Sequence, residues 1–246
     1  SWDPTDGATG NWNSLYDTVS VIGSTHVWID HDSFSDGDNP DSGQPSYFGR
    51  PYQVHDGLLD ITKGADLVTV SACYLHDHDK TMLIGSTDNP GTDLGKLRVT
   101  LHGNRFANLG QRAPRVRFGK VDAYNNLYQV PQATGGFAAD GYGYSWGVGA
   151  QSALYAENNF IVLGDSVDPA SVVHYWGGTA MTEKGTLVYR DGALTPISLL
   201  AAYNAANSQQ IGTDAGWTPL LRNTLVPTIA VPPLVALSAG AGRLPI

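Results

Sequence analysis

The chain has 246 residues, room for one domain with a sizeable core. Its 29 glycines, 14 prolines and only 15% charged residues favour short strands joined by turns over helices. A formal charge of −9 argues against nucleic acid and an anionic membrane as partners, and no apolar run is long enough to span a bilayer as a helix.

Charge is unevenly spread along the chain. Residues 1–60 hold ten aspartates against one basic residue, Arg50, while seven of the fourteen lysines and arginines lie between Asp93 and Asp122 with no acid among them. The two blocks read either as solvated faces or, more sharply, as a cation site beside a site for a polyanion.

An eight-residue pattern starts at Val27–Phe34 and returns at Val68–Leu75, Val99–Phe106, Val121–Tyr128 and Ala153–Phe160. Each octet opens with small or aliphatic residues at its first and third places, the alternation of a strand with one buried face. The sixth place (Asp32, Cys73, Asn104, Asn126, Asn158) is small or polar and suits a turn that recurs. Asparagines stacked there can hydrogen-bond along a ladder. Cys73, the one cysteine, cannot close an internal disulfide and reads as a small buried hydrophobe.

The octets start 41, 31, 22 and 32 residues apart. The interval of 22 is taken as one bare coil, with inserted loops in the others. That period, with several strands and no helix pattern, predicts a β-solenoid; an antiparallel sandwich would not repeat one octet with one turn. Towards the C-terminus, Thr195-Pro196 reads as the N-cap and first position of a helix running to Ala206, the one stretch that reads clearly as helix. Leu225–Leu237 is apolar but broken by three prolines, and reads as a segment packed against the body. His31, His76 and His78 suggest a metal cluster at first sight. They fall in an octet and a polar turn, and no zinc centre is expected from them.

Four motifs occur in order: Val27-Trp-Ile-Asp-His31, Asp56-Gly-Leu-Leu-Asp-Ile61, Lys80-Thr-Met-Leu-Ile-Gly85, and Arg112-Ala-Pro-Arg-Val-Arg117 followed by Tyr124-Asn-Asn126. Together they resemble the pectate lyase superfamily, most closely the bacterial pectate lyases of polysaccharide lyase family one, over roughly residues 12–165. The resemblance implies an all-β, right-handed parallel β-helix forming a single catalytic domain over residues 1–246. It also implies that the N-terminal cap and first coils carried by family members are lacking here.

The activity implied is β-elimination of α-1,4-linked polygalacturonate, with calcium as cofactor and, because that polymer lies outside cells, a secreted protein. Position by position, Asp17, Asp56 and Asp60 fall on calcium-binding carboxylates. Lys80 matches a lysine that holds a substrate carboxylate, Arg112 an arginine proposed to take the proton, and Arg117 a supporting substrate contact. Three departures stand out: Leu15 replaces a second aspartate, Asp122 a histidine before Tyr-Asn-Asn, and Gly103 a histidine.

The chemistry is coherent with these residue types. The C5 proton is weakly acidic beside a carboxylate, so the first requirement is to neutralise that charge. Calcium takes 6–8 oxygens, and residues four apart in an extended chain, such as Asp56 and Asp60, share a face. Lys80 and Arg117 would add charge-assisted hydrogen bonds. Arginine is ordinarily always protonated, so Arg112 as base requires like charges nearby and predicts an alkaline optimum. The basic run from Lys96 to Lys120 reads as lining a cleft for the polyanion, with Arg98, Arg105 and Arg115 equally readable as ordinary surface residues. The competing readings are a pectin lyase acting without calcium on methyl-esterified substrate, a β-helix hydrolase using carboxylates, and a non-catalytic polysaccharide-binding solenoid.

Overall fold

One chain winds three parallel sheets, and each coil contributes a strand to each of them. In the computed structural model, which describes residues 16–47, 50–134, 141–222 and 224–243, the first sheet stacks Thr25–Asp30, Asp66–Ser71, Arg98–His102, Lys120–Tyr124, Ala153–Glu157 and Met181–Lys184. The second stacks Ser33–Phe34, Tyr74–Lys80, Arg105–Gln111, Leu127–Val130, Phe160–Leu163 and Leu187–Arg190, closed by an antiparallel strand Ala193–Thr195. The third stacks Val19–Ile22, Leu59–Thr62, Leu83–Ile84, Arg115–Val116, Trp146–Gly149 and Val173–Trp176. Neighbours in each stack belong to successive coils. This is a three-sided parallel β-helix, as the octets predict.

Each octet bridges the first two sheets. Val99 pairs with Val121, so the bare coil is 22 residues. Interior positions form continuous apolar columns; Phe34, Leu75, Phe106, Tyr128, Ile161 and Val188 follow one another in register. Phe106 and Tyr128 stack with centroids 4.8 Å apart. Cys73 is buried in this core, and burial lifts its thiol pKa to about 11.

The asparagine ladder exists, with one correction. Asn104 Oδ1 accepts the Cys73 N–H (2.9 Å), Asn126 Oδ1 accepts the Asn104 N–H (3.0 Å), and Asn159 Oδ1, not that of Asn158, accepts the Asn126 N–H (3.0 Å). Val121 pairs with Leu154, so the fifth octet begins one residue later than the pattern suggests. Both coils carry adjacent asparagines, which makes a one-residue slip invisible to pattern matching. Asn125 and Asn158 bind the tail instead, since both donate side-chain N–H groups to the Val226 carbonyl. Phe160 accordingly faces outward, under the C-terminal helix. A sixth coil escapes the pattern because Thr186, not asparagine, stands beside Asn159 in the turn.

The predicted helix forms over Leu199–Ala206, but its N-cap is Ser198, whose hydroxyl accepts the Ala201 N–H. Glu183 accepts the Leu199 and Leu200 N–H groups, supplying the charge that a helix start favours. Thr195 instead ends the antiparallel strand. A second helix, Val231–Ser238, was not expected. Its prolines lie in the first turn, where no N–H is needed, and Val231 and Val235 cover Leu127 and Phe160. Neither helix is long and apolar enough to cross a membrane.

Spiral winding also disperses the basic run. Arg98 pairs with Asp66 on the first sheet, and Arg105 lies over the Tyr74 ring on the second. Only Arg112, Arg115 and Arg117 reach the third sheet's side. The expectation that Lys96–Lys120 lines one cleft is therefore wrong, because a coil turns through all three faces within 22 residues. Asp122, the histidine replacement, is held by Arg222 at 2.5 Å in the tail that crosses the first sheet.

Candidate active site

The outer face of the third sheet gathers the predicted residues. Pairing places Ser20 beside Asp60, Leu83 beside Arg115, Arg115 beside Gly147 and Gly147 beside His174. With Ile61 opposite Ile84, these positions form one row across six coils. Carboxylates stand at one end of it, arginines in the middle and aromatic rings at the other end.

At the acidic end Asp17 precedes strand Val19–Ile22 and accepts the Ser20 hydroxyl at 2.5 Å. Asp56 lies on the bend before strand Leu59–Thr62, so the extended-chain reason for pairing it with Asp60 does not hold, although its charge still acts on Asp60. Gly57 leaves room for Asp60 and Asp17. A Cβ there would stand 2.9 Å from Asp60 Oδ1 and 3.2 Å from Asp17 Oδ1, so any other residue would crowd the two carboxylates that converge over this backbone. Asp60 Oδ1 also accepts the Leu83 N–H at 2.8 Å. Burial, then the charge of Asp17, and further down that of Asp56, raise the Asp60 pKa to about 7, against the Leu83 hydrogen bond and the charge of Arg112.

Such a cluster fits a hard divalent cation. Asp17 and Asp60 approach one another over Gly57, and without a compensating charge Asp60 holds its proton near neutrality. Lys80, buried at the end of strand Tyr74–Lys80, donates to Asp56 Oδ1 at 2.5 Å.

Arg112 follows the second sheet's strand and has φ of 62°, in the left-handed region, with its carbonyl fixed by the Met82 N–H at 2.8 Å. Among the described residues its Nε is buried without a partner. Its charge acts on Asp60 and on Tyr144, which places it between the carboxylates and the aromatic end. Arg117 is buried and fixed by Asp88 (2.6 Å) and the Gly85 carbonyl (3.0 Å). Burial, then Arg117 and Arg112, lower the Arg115 pKa, as expected where three guanidiniums share a face.

Sequence reasoning missed the far end. Arg115 lies 4.0 Å from the Trp176 ring centroid, and Tyr144 stacks on His174 at 5.1 Å. No local signal marks these residues, because long loops separate them and only register joins them. Leu15 lies outside the described residues. A cavity of about 690 Å³ sits between the first sheet and residues 217–222, and contains none of the six predicted site residues.

Comparison with known proteins places this face in a family. The family model for pectate lyase matches residues 5–210. A pectate lyase of Bacillus subtilis (strain 168) is 43% identical over 243 residues, covering 99% of this chain and 55% of that protein. Pectate lyase E of Dickeya chrysanthemi is 42% identical over 184 residues, 72% of this chain and 45% of that one. Among solved structures, a thermostable pectate lyase superposes with a TM-score of 0.89 at 45% identity, and a pectate lyase bound to a hexasaccharide with 0.86 at 44%. Each covers 99% of this chain and 58% of the other, so the chain spans a little over half the length of these relatives. The chain belongs to the pectate lyase family.

Proposed function

We propose that this chain carries the catalytic face of a pectate lyase that cleaves α-1,4-polygalacturonate by calcium-assisted β-elimination, releasing unsaturated oligogalacturonides. The observation that carries the reading is the convergence of Asp17 and Asp60 over Gly57, with Asp56, Lys80 and Arg112 at its edge. Relatives named pectate lyases support it, as does a structural neighbour described with a bound hexasaccharide.

Asp17, Asp56 and Asp60 would hold calcium. Bound there, the ion would act as a Lewis acid on the uronate carboxylate and make the adjacent C5–H more acidic. Lys80 is placed to take a second oxygen of the substrate through a charge-assisted hydrogen bond. Arg112 in its neutral form takes the C5 proton; the electron pair of that C–H bond becomes the C4–C5 double bond, the C4–O bond breaks, and the departing oxygen gains a proton from water. Arg117, anchored by Asp88, keeps positive charge beside the face without needing to move. The reading carries with it a secreted protein, since pectate lies outside cells.

The test is ultraviolet absorbance of the conjugated product during incubation with polygalacturonate, with calcium and then with chelator, beside Arg112→Ala. A calcium-dependent rise that is absent in the variant is expected. Calcium-independent turnover of methyl-esterified pectin alone would favour a pectin lyase, and binding with no product at any alkaline pH would favour a polysaccharide-binding module.

A further inference from the structure

The acidic N-terminal block is only partly used by the calcium cluster. Asp36 and Asp41 lie in the loop between strands Ser33–Phe34 and Leu59–Thr62, and both are buried, as are His78 and Asp79 on the strand that ends in Lys80. Asp36 Oδ2 accepts His78 Nδ1–H at 2.6 Å, and its Oδ1 accepts from His55 Nδ1 at 2.8 Å. Gln53 Nε2 donates to Asp41 Oδ2 (3.2 Å) and Asp79 Oδ2 (2.8 Å), and Gln111 donates to Asp79.

Two atoms in this cluster are left over. Asp41 Oδ1 and His78 Nε2 are buried and have no hydrogen-bond partner among the described residues. Because a carboxylate only accepts, His78 must carry its proton on Nδ1 towards Asp36, which leaves the lone pair on Nε2. Both leftover atoms are therefore acceptors, on residues 1% exposed. One ligand atom each from Asp36, Asp41 and His78 lies within 4.8 Å of the others, and with Asp36 held on the Nδ1 side, Asp41 Oδ1 and His78 Nε2 are the donors left for an ion.

Charge balance points the same way. Three buried carboxylates share two imidazoles and two neutral amides, and buried charges are ordinarily paired or coordinate a metal. Burial foremost, with Asp36 and Asp79 adding to it, raises the Asp41 pKa to about 6, and His78 only partly offsets this. A carboxylate–histidine pair whose outer nitrogen is free matches the way metal-bound imidazoles are oriented. Mixed nitrogen and carboxylate donors suit a transition metal better than calcium, which takes 6–8 oxygens.

We propose that Asp41 and His78, with Asp36 orienting the imidazole from its Nδ1 side, form a separate site for a divalent transition-metal ion of the zinc type, which staples the acidic loop to the strand bearing Lys80. His78 stands two residues before Lys80, and His55, bonded to Asp36, immediately precedes Asp56. The ion thus fixes both chain segments that deliver the Lys80–Asp56 pair. The site stands independently of the reaction proposed above.

The test is calorimetric titration of untagged, chelator-stripped protein with zinc chloride in the presence of saturating calcium, together with visible absorption on adding cobalt(II). One zinc per chain is expected, with a cobalt spectrum indicating nitrogen ligation and a higher melting temperature in zinc. All three should be lost in Asp41→Asn and in His78→Gln, and kept in Asp60→Asn and in the exposed loop control Asp38→Asn. Asp41→Asn removes a buried charge and should still melt cooperatively; if it does not, His78→Gln decides. No zinc binding by the wild-type chain, binding that survives both cluster variants, or binding that disappears with Asp60→Asn would each overturn the proposal.

Discussion

Lys80 Nζ stands 2.5 Å from Asp56 Oδ1, so an ammonium occupies part of the coordination sphere that a calcium ion would use. In the proposed reading the two cations would compete for one carboxylate. Lys80→Ala is expected to lower kcat/KM on polygalacturonate by about 10²–10³-fold, the loss typical of one charged donor at a developing oxyanion. The same variant should bind calcium more tightly by calorimetry. Weaker calcium binding in Lys80→Ala would show that the lysine organises the carboxylates instead of competing for them.

Asp60 provides a pH-dependent stability that can be read without substrate. Its folded pKa of about 7 lies above the ordinary 3.8, so the folded state holds the proton more tightly. Its contribution is complete below pH about 4 and is lost as pH rises through about 7, by at most about 1.4 kcal/mol for each pH unit crossed. In chelator, the melting temperature should therefore fall more steeply over that window in the wild type than in Asp60→Asn. Calcium should remove most of the difference. Equal slopes in chelator would mean that Asp60 does not titrate there.

The asparagine ladder should be costly to interrupt. Asn126 accepts from the Asn104 N–H and side chain and donates to the Leu101 carbonyl and to Asn159, all within the core. Asn126→Ala leaves several of these groups buried and unpaired, at about 1–3 kcal/mol each. A denaturant midpoint well below wild type is expected. Activity at low temperature should persist, because the ladder lies between the first and second sheets, away from Asp60 and Arg112.

Trp176 and Arg115 make a prediction about the far end of the row. A guanidinium 4.0 Å from an indole centroid presents a planar charge next to a ring face, a combination suited to a uronate sugar. Trp176→Ala is expected to raise KM for long oligogalacturonides by about 3–30-fold, from the usual strength of such contacts, with kcat little changed. An equal effect on short oligosaccharides that do not reach this end would place Trp176 outside the binding path.

Much of the architecture is legible in the chain itself. Alternation at positions two apart is local, so Val99, Leu101 and Val121 declare a buried face, and Asn104 and Asn126 mark a turn that recurs after 22 residues. The slip from Asn159 to Asn158 shows the limit: adjacent asparagines satisfy the pattern equally, and only pairing of Val121 with Leu154 decides between them. Asp56, Asp60, Lys80 and Arg112 stand in short motifs ordered along the chain, and Asp17 is reached by its spacing from Asp30; the roles given to them belong to the proposal. Their chemistry is not legible in the chain. Convergence over Gly57, the raised pKa of Asp60, the row ending at Trp176 and the buried Asp36–Asp41–His78 cluster all join residues from different coils. Coils meet through inserted loops of unequal length, so the side chains that share a face are set by how the strands register after winding. Local sequence determines which residues point inward or outward; tertiary structure alone decides which of the outward ones meet.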